Sequence, residues 1–231
     1  MELNRIHFIH ANGFPPNAYQ TLFNNIKDTL APECFVLNKN NYNITDIEDW
    51  TPFHNNFIES IKNHKNIIGL GHSIGGNLIL RSALTHPEKF SKLILLDPTL
   101  FIPRIIYGWI LFSKLGLQGT FHPWMNNTLN KKMIYNNHEE IFKSYRRKMV
   151  FSNLDDNSLN LYIKSITEKI ENKLHITYSK EWEYHIYKTG LIADMYIWRN
   201  IKNLKVPCLI IRAKESNAFL NSSEEKISKL N

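Results

Sequence analysis

The residues with the clearest chemical potential are a serine and the glycines around it. Residues 71–75 read Gly-His-Ser-Ile-Gly, so Ser73 follows an apolar run and precedes a helical pattern. A tight strand-to-helix turn holds such a serine in a strained conformation with its hydroxyl above the sheet. Gly71 and Gly75 suit this turn because a Cβ at either position would collide with the neighbouring strand or helix. The positive end of the helix can stabilise an oxyanion. We therefore predict that Ser73 is a nucleophile, the alternative being a purely structural glycine turn.

The elements around this turn predict a parallel sheet covered by helices. Helical spacing of apolar residues is found at positions 17–30, 46–62 and 75–85. Short continuous apolar runs, typical of strands buried on both faces, are found at positions 5–9, 34–37, 67–70, 92–96 and 206–211. Strands that alternate with helices indicate an α/β fold.

This alternation stops between residues 101 and 203, where the sequence is aromatic-rich and helical and shows no convincing strand. We expect a helical cap at residues 100–203 over a core formed by residues 1–99 and 204–231. Its aromatic residues favour an apolar substrate or acyl chain, although the same side chains could simply pack the cap onto the core. They are Tyr107, Trp109, Phe112, Phe121, Trp124 and Trp182.

These features resemble the α/β-hydrolase superfamily over nearly the whole chain. Residues 86–98 are similar to the family's helix-to-strand stretch after the serine turn, and residues 10–15 to its loop after the first core strand. Residues 181–183 resemble the end of the cap in a subset of these hydrolases. The resemblance implies hydrolysis of an ester or related acyl group through an acyl-enzyme on Ser73, without a cofactor.

The resemblance also assigns an oxyanion hole to two backbone N–H groups, those of Ile74 and Phe14. The alternative for the Phe14 loop is a simple Asn-Gly turn. Two histidines close to these residues are expected to be structural. We expect His10 to be packed and hydrogen-bonded in its loop, and the side chain of His72 to leave the turn on the other face.

The family pattern leaves two candidates for the catalytic acid. The place after the last strand that usually carries aspartate holds Asn217, and Glu215 lies two residues earlier. Asparagine can orient a histidine but cannot stabilise an imidazolium by charge. Asp97, after the fourth strand, is the alternative acid, unless it only caps an Asp-Pro turn.

The family pattern also places the histidine after the acid, but all ten histidines here lie at or before His185. Residues 222–227 open like a capped helix, with Ser222 and Glu225 at capping-box spacing. We therefore expect a hydrolase whose C-terminal strand and helix are missing through truncation, which would leave strand 208–211 near an uncovered sheet edge. The alternatives are a catalytically degenerate binding or scaffold protein, and a triad completed by a cap histidine, His122 or His185.

Composition excludes several other classes. The chain has 231 residues, 43% of them hydrophobic, and a net charge of +7. The basic cluster at residues 143–148 predicts a solvated helix face and no nucleic-acid partner. We expect no membrane span, no metal and a cytoplasmic location, with Cys34 and Cys208 as core thiols. The sequence does not indicate an oligomeric state.

Overall fold

The computed structural model describes residues 5–26, 32–37, 39–117 and 123–230. The first half alternates strands and helices, in the order β1 (Ile6–Ile9), α1 (Gln20–Ile26), β2 (Glu33–Phe35), α2 (Thr51–Ser60), β3 (Ile67–His72), α3 (Ile74–Thr85) and β4 (Phe90–Leu96). The second half contains α4 (Pro103–Lys114), α5 (Pro123–Leu129), β5 (Ile134–Tyr135), α6 (His138–Arg146), α7 (Met149–Ser152), α8 (Asp156–Ile166), β6 (Thr167–Ile170), β7 (Lys173–Ile176), α9 (Lys180–Asn200), β8 (Cys208–Ile211) and α10 (Asn221–Ser228). Within the described ranges, no helix is both long and apolar enough to cross a membrane.

Five strands form one sheet in the order β2-β1-β3-β4-β8, and every neighbouring pair is parallel. This confirms the predicted α/β class. Strand β3 lies at the centre of the sheet, and Ser73 follows its carboxyl end directly. In open parallel sheets, ligands bind beyond the carboxyl ends of the strands, so the fold places Ser73 at the edge where a site is expected.

The apolar stripe of α2 packs into the main core, as its spacing predicts. Trp50, Phe53, Phe57 and Ile61 are all buried, in one cluster with residues of α3 and β4. The carboxylate of Asp49 accepts a hydrogen bond from the Thr51 backbone N–H at 2.8 Å, which satisfies an otherwise unpaired donor at the start of the helix.

The segment between β4 and β8 contains strands, so the expectation that it has no strand is wrong. Strands β5, β7 and β6 form a separate antiparallel sheet. They escape detection because β5 has only two residues and the apolar residues of β6 and β7 do not form a continuous run. Helix α9 also contributes Ile186, Ala193 and Ile197 to the main core cluster. The predicted division into a core and a cap, with boundaries at residues 100 and 203, stays a prediction, because α9 belongs to the predicted cap and yet packs into the main core.

Two further expectations are wrong. Cys34 and Cys208 are exposed because they lie on β2 and β8, the two outer strands of the parallel sheet. Helix α10 begins two residues earlier than the capping-box pattern implies. Its N-cap is Leu220, without a side-chain cap.

Candidate active site

Ser73 occupies the strained turn that its sequence predicts. Its backbone has φ 54° and ψ −117°, a conformation that non-glycine residues seldom adopt. A Cβ on Gly71 would lie 2.4 Å from the Gly75 carbonyl oxygen, and one on Gly75 would lie 2.0 Å from the Ile9 carbonyl oxygen. The two glycines therefore allow α3 to begin immediately beside β1 and β3.

The Ser73 hydroxyl has a partner that sequence reasoning missed. Its Oγ lies 3.0 Å from Oγ1 of Thr99, in the loop after β4. The Thr99 backbone N–H donates to the Ser73 carbonyl at 3.0 Å, and the Ser73 N–H donates to the Leu96 carbonyl at 3.0 Å. These bonds fix the serine against the end of β4. No spacing rule links Thr99 to Ser73, so only the fold could show this contact.

The two proposed oxyanion donors differ in whether the backbone N–H already has an acceptor within its own loop or helix. Ile74 is the first residue of α3, where an N–H has no acceptor within the helix. The Phe14 N–H instead donates to the Ala11 carbonyl at 3.1 Å. Both residues line the cavity that contains Ser73. The prediction for Phe14 therefore requires that its N–H leave Ala11 when a substrate binds.

Asp97 and Asn217 both line the cavity of Ser73, so the structure brings the two acid candidates to one place. Asp97 has φ 44°, and its Oδ1 accepts a hydrogen bond from the Ala213 N–H at 3.0 Å. Its carboxylate thus ties the end of β4 to the segment after β8. A carboxylate in this position could also face an imidazole, and the acid role of either residue stays a prediction.

Two histidines close to the serine are engaged in structural hydrogen bonds. His10 is buried; its Nδ1 donates to the Ala11 carbonyl at 2.8 Å, and its Nε2 accepts from the Leu37 N–H at 3.0 Å. His72 borders the cavity, and its Nδ1 lies 2.8 Å from the hydroxyl of Tyr19, which is not part of the cavity wall. Burial lowers the pKa of His72 to about 4, so its imidazole is neutral at pH 7 and is a weak base.

Of the two remaining candidate bases, the one that the structure describes, His185, contacts a different part of the chain. Nε2 of His185 contacts the Ile47 carbonyl at 2.7 Å. His122 lies outside the described residues. Within the described part of the chain, no histidine forms a hydrogen bond with the Ser73 hydroxyl, whose partner is Thr99.

A buried carboxyl links α9 to the serine turn. Asp194 on α9 is fully buried, and its Oδ1 accepts from Nδ2 of Asn77 at 2.5 Å. Its Oδ2 accepts from the Phe101 N–H at 2.6 Å. Asn77 also donates to the Thr99 carbonyl at 2.8 Å. Burial raises the pKa of Asp194 well above its usual range. This network holds the Thr99 loop between α3 and α9.

The cavity above Ser73 has a volume of about 280 Å³ and a mainly apolar wall. The apolar side chains in that wall include Phe14, Trp50, Phe101, Ile186 and Leu191. The cap aromatics that the sequence singled out lie elsewhere. Of those that the structure describes, Trp109 and Trp182 are buried in packing clusters, and none lines this cavity. Phe121 and the side chain of Trp124 lie outside the described residues.

A second chamber of about 550 Å³ adjoins the first and shares Asn12, Phe14, Val150 and Tyr187 with it. Its wall carries Lys131, Lys132 and Lys148 together with Glu183. The Lys131 ammonium pairs with Glu183 at 3.0 Å, and both side chains are largely buried. Lys132 pairs with Glu140.

Lys148 has a different environment, with its Nζ 3.7 Å from the centre of the Tyr145 ring. Burial and the neighbouring charge of Lys131 lower the pKa of Lys148 to about 8. The solvated face predicted for residues 143–148 holds for Lys143, which is exposed and paired with Glu139. Lys148 is exposed as well, although it also lines the chamber.

A parallel sheet with a strained serine between its central strand and the next helix defines an α/β hydrolase. More specifically, the chain belongs to the serine aminopeptidase S33 family, whose profile matches residues 41–229.

Known relatives are similar over part of their length. The chain is 27% identical to the protein NDRG1 of Xenopus tropicalis over 109 residues, which are 46% of this chain and 26% of that protein. It is 33% identical to a type I acyl-CoA thioesterase of Penicillium brevicompactum over 84 residues, which are 36% of this chain and 17% of that protein. The matched stretches thus span about a quarter or less of these relatives.

Among solved structures, E-2-(acetamidomethylene)succinate hydrolase superposes with a TM-score of 0.72 at 14% identity. The match covers 99% of this chain and 80% of that protein. At this identity the likeness shows the shared α/β-hydrolase fold alone.

Proposed function

We propose that this hydrolase cleaves an ester or thioester by acyl transfer to Ser73. The observation that carries the proposal is the strained conformation of Ser73 between β3 and α3, at the floor of a mainly apolar cavity. Strain of this kind costs about 1–3 kcal/mol and persists where the surrounding structure enforces it. The similarity to an acyl-CoA thioesterase supports acyl transfer as the reaction type.

In the proposed reaction, Ser73 Oγ forms a bond to the carbonyl carbon of the substrate, and its proton passes to a general base. The carbonyl oxygen becomes an oxyanion, which accepts a hydrogen bond from the Ile74 N–H. The carbon–oxygen or carbon–sulfur bond then breaks, and the leaving group takes the proton. Water attacks the acyl-enzyme in the same way and releases the acid. An oxyanion donor of this type contributes about 3 kcal/mol to transition-state stabilisation.

The two chambers favour a substrate with an apolar end and a negatively charged end. The chamber above Ser73 accommodates an apolar acyl group, as the sequence suggests. The adjoining chamber carries the ammonium of Lys148, whereas the charges of Lys131 and Lys132 are neutralised by carboxylates. A substrate with a negatively charged group beyond its acyl portion fits both walls.

A second candidate function is binding of such a molecule without hydrolysis. The contact between the Ser73 and Thr99 hydroxyls favours it, because a base must be hydrogen-bonded to the serine for activation. Within the described ranges, no imidazole occupies that position. In this case the cavity binds its ligand whether or not residue 73 carries a hydroxyl.

Two measurements test the identity of the nucleophile and the need for a base separately. With free imidazole present as a substitute base, we expect a fluorophosphonate probe to label Ser73, as seen by mass spectrometry, and the Ser73→Ala variant to remain unlabelled. Free imidazole, added as a substitute base, should then raise hydrolysis of a p-nitrophenyl ester above the rate of Ser73→Ala in the same buffer. Equal imidazole-driven rates in the two proteins, together with unchanged ligand binding, would support the binding function instead. Labelling that survives the substitution would place the nucleophile elsewhere.

A further inference from the structure

Two histidines and a glutamate converge on the far side of the sheet from the serine turn. His7 lies on β1, Glu33 lies on β2, and His64 lies in the turn between α2 and β3. One ligand-type atom from each residue lies within 4.8 Å of the other two. His64 is 57 positions from His7, so no local sequence motif indicates the group.

The backbone fixes all three positions. His7 and Glu33 are directly paired in the parallel register of β1 and β2, so their side chains leave the same face of the sheet. The His64 N–H donates to the Ile61 carbonyl at 2.9 Å, which holds the turn that carries the second imidazole. The cluster is therefore built from three separate backbone segments that the fold holds together.

The ligand atoms already have spacings close to those of a coordination shell. His7 Nε2 lies 3.0 Å from His64 Nδ1 and 3.8 Å from Glu33 Oε2. Two ligands of a tetrahedral zinc ion lie roughly 3.3 Å apart when each bond is about 2.0–2.1 Å. The two pairs that include His7 are within about half an ångström of this spacing, and the Glu33 and His64 ligand atoms, which lie within 4.8 Å of each other, close the shell by side-chain rotation.

The surrounding charges also favour a cation, except for one positively charged neighbour, Arg5. Glu33 supplies a negative charge, and its other oxygen, Oε1, accepts from Arg5 Nη1 at 3.1 Å. That bond orients the carboxylate and leaves Oε2 toward His7. The Arg5 guanidinium opposes a nearby cation, but its side chain is 52% exposed, so water screens its charge.

We propose that His7, Glu33 and His64 bind a divalent transition-metal ion, with Zn²⁺ as the best fit. Two imidazole nitrogens and one carboxylate oxygen form a three-ligand zinc set, and water completes the tetrahedron. In the free protein the two facing nitrogens share one proton in a hydrogen bond. On binding, that proton moves to the other nitrogen of its ring, so both lone pairs face the metal and no oxidant or reductant is needed.

The ion would join β1, β2 and the turn before β3, and so fasten β2, an outer strand of only three residues. His7 pairs with Gly69, four positions before Ser73 on β3, which places the site about 13 Å from the serine turn. The proposal is therefore independent of the proposed hydrolase function. The role it assigns to the metal is stabilisation of the fold.

The test uses the metal alone with the full chain. After treatment with a chelator, we expect micromolar Zn²⁺ to raise the thermal unfolding midpoint. Co²⁺ should give the visible absorption bands of a tetrahedral nitrogen–oxygen site. His64→Ala and Glu33→Gln should weaken Zn²⁺ binding by at least about tenfold, because each removes a ligand. His7 is buried, so these two partly exposed positions are the safer variants.

The matched control is His138→Ala, which removes an exposed histidine of α6 and should bind Zn²⁺ like the unmodified chain. Circular dichroism of each variant without metal verifies that it is folded. Absence of a Zn²⁺-dependent shift in the unmodified chain would overturn the proposal. So would equal Zn²⁺ affinity in folded His64→Ala and Glu33→Gln. Labelling of Ser73 is expected to be the same with and without Zn²⁺.

Discussion

At the scale of single residues, the serine turn is formed, but no base among the described residues is hydrogen-bonded to its hydroxyl. Ser73 has the strained backbone and the adjacent helix N-terminus that acyl transfer uses, while its Oγ contacts Thr99 Oγ1 at 3.0 Å. A neutral hydroxyl partner does not lower the barrier to losing the serine proton as a base does. The geometry thus separates two requirements of catalysis that are usually met together, positioning of the nucleophile and removal of its proton.

Lys148 makes ligand binding in the second chamber dependent on pH. Its pKa is lowered to about 8 by burial and by Lys131, so its positive charge is present at lower pH and is lost as the pH rises through 8. Lys131 and Glu183 form a pair in the same wall, and burial raises the pKa of Tyr145 beyond this range. We therefore expect the affinity for octanoate to fall between pH 7 and pH 9, by roughly tenfold at most.

Calorimetric titration with octanoate and with the neutral analogue octanol measures this effect. Octanol binding should not change with pH, and Lys148→Met should remove the pH dependence of octanoate binding. Lys143→Met is the control, because Lys143 pairs with Glu139 on the exposed face of α6. Octanoate affinity that is equal at the two pH values would contradict the role of Lys148.

The sequence predicts the residues of the turn better than their partners. Ser73, Gly71 and Gly75 lie within five positions, and local sterics decide their conformation. The contacts of Ser73 with Thr99 and of Asn77 with Asp194 join residues 26 and 117 positions apart, so they depend on how the chain is folded. Residue type and spacing carry no information on such pairs.

At the scale of elements, the close approach of α3 to β1 requires a residue without a side chain at position 75. A Cβ on Gly75 would lie 2.0 Å from the Ile9 carbonyl oxygen, which is backbone and cannot rotate away. We expect Gly75→Ala to lower the free energy of unfolding by about 3 kcal/mol. Because the displaced helix carries the Ile74 N–H, labelling of Ser73 by a fluorophosphonate should also be lost.

The control for this prediction is Gly116→Ala. Gly116 has φ +70° but open space around it, so alanine there is strained without a clash and should cost about 1–2 kcal/mol. Chemical denaturation measures both variants, and probe labelling should persist in Gly116→Ala. A Gly75→Ala protein as stable as the unmodified chain would show that α3 can move from β1 at little cost.

The elements of the core are easier to predict from sequence than those of the cap. Core strands are continuous apolar runs because both faces of the parallel sheet are covered. Strand β6 is largely exposed, β7 is only partly buried, and the two are joined by Glu171 and Asn172, both with positive φ. Such a two-residue turn usually contains glycine, as in Asn-Gly, so Glu-Asn gives no hairpin signal.

At the scale of the whole molecule, the parallel sheet has an apolar outer strand. Strand β8 pairs with β4 on one side, and no described strand pairs with its other edge. The side chains of Leu209 and Ile211 are 55% and 49% exposed. An outer strand with unpaired backbone groups and apolar side chains favours pairing with another chain. The net charge of +7 opposes association.

We therefore expect the 231-residue chain to associate with itself through β8 as its concentration rises, and Leu209→Lys to reduce this association. A lysine on an outer strand repels a second strand and costs little where leucine is already exposed. The matched control is Leu115→Lys, which makes the same change of charge at a residue 63% exposed after α4. Light scattering over a concentration series should show less association for Leu209→Lys alone. An equal decrease in both variants would mean that net charge, and not the strand edge, governs association.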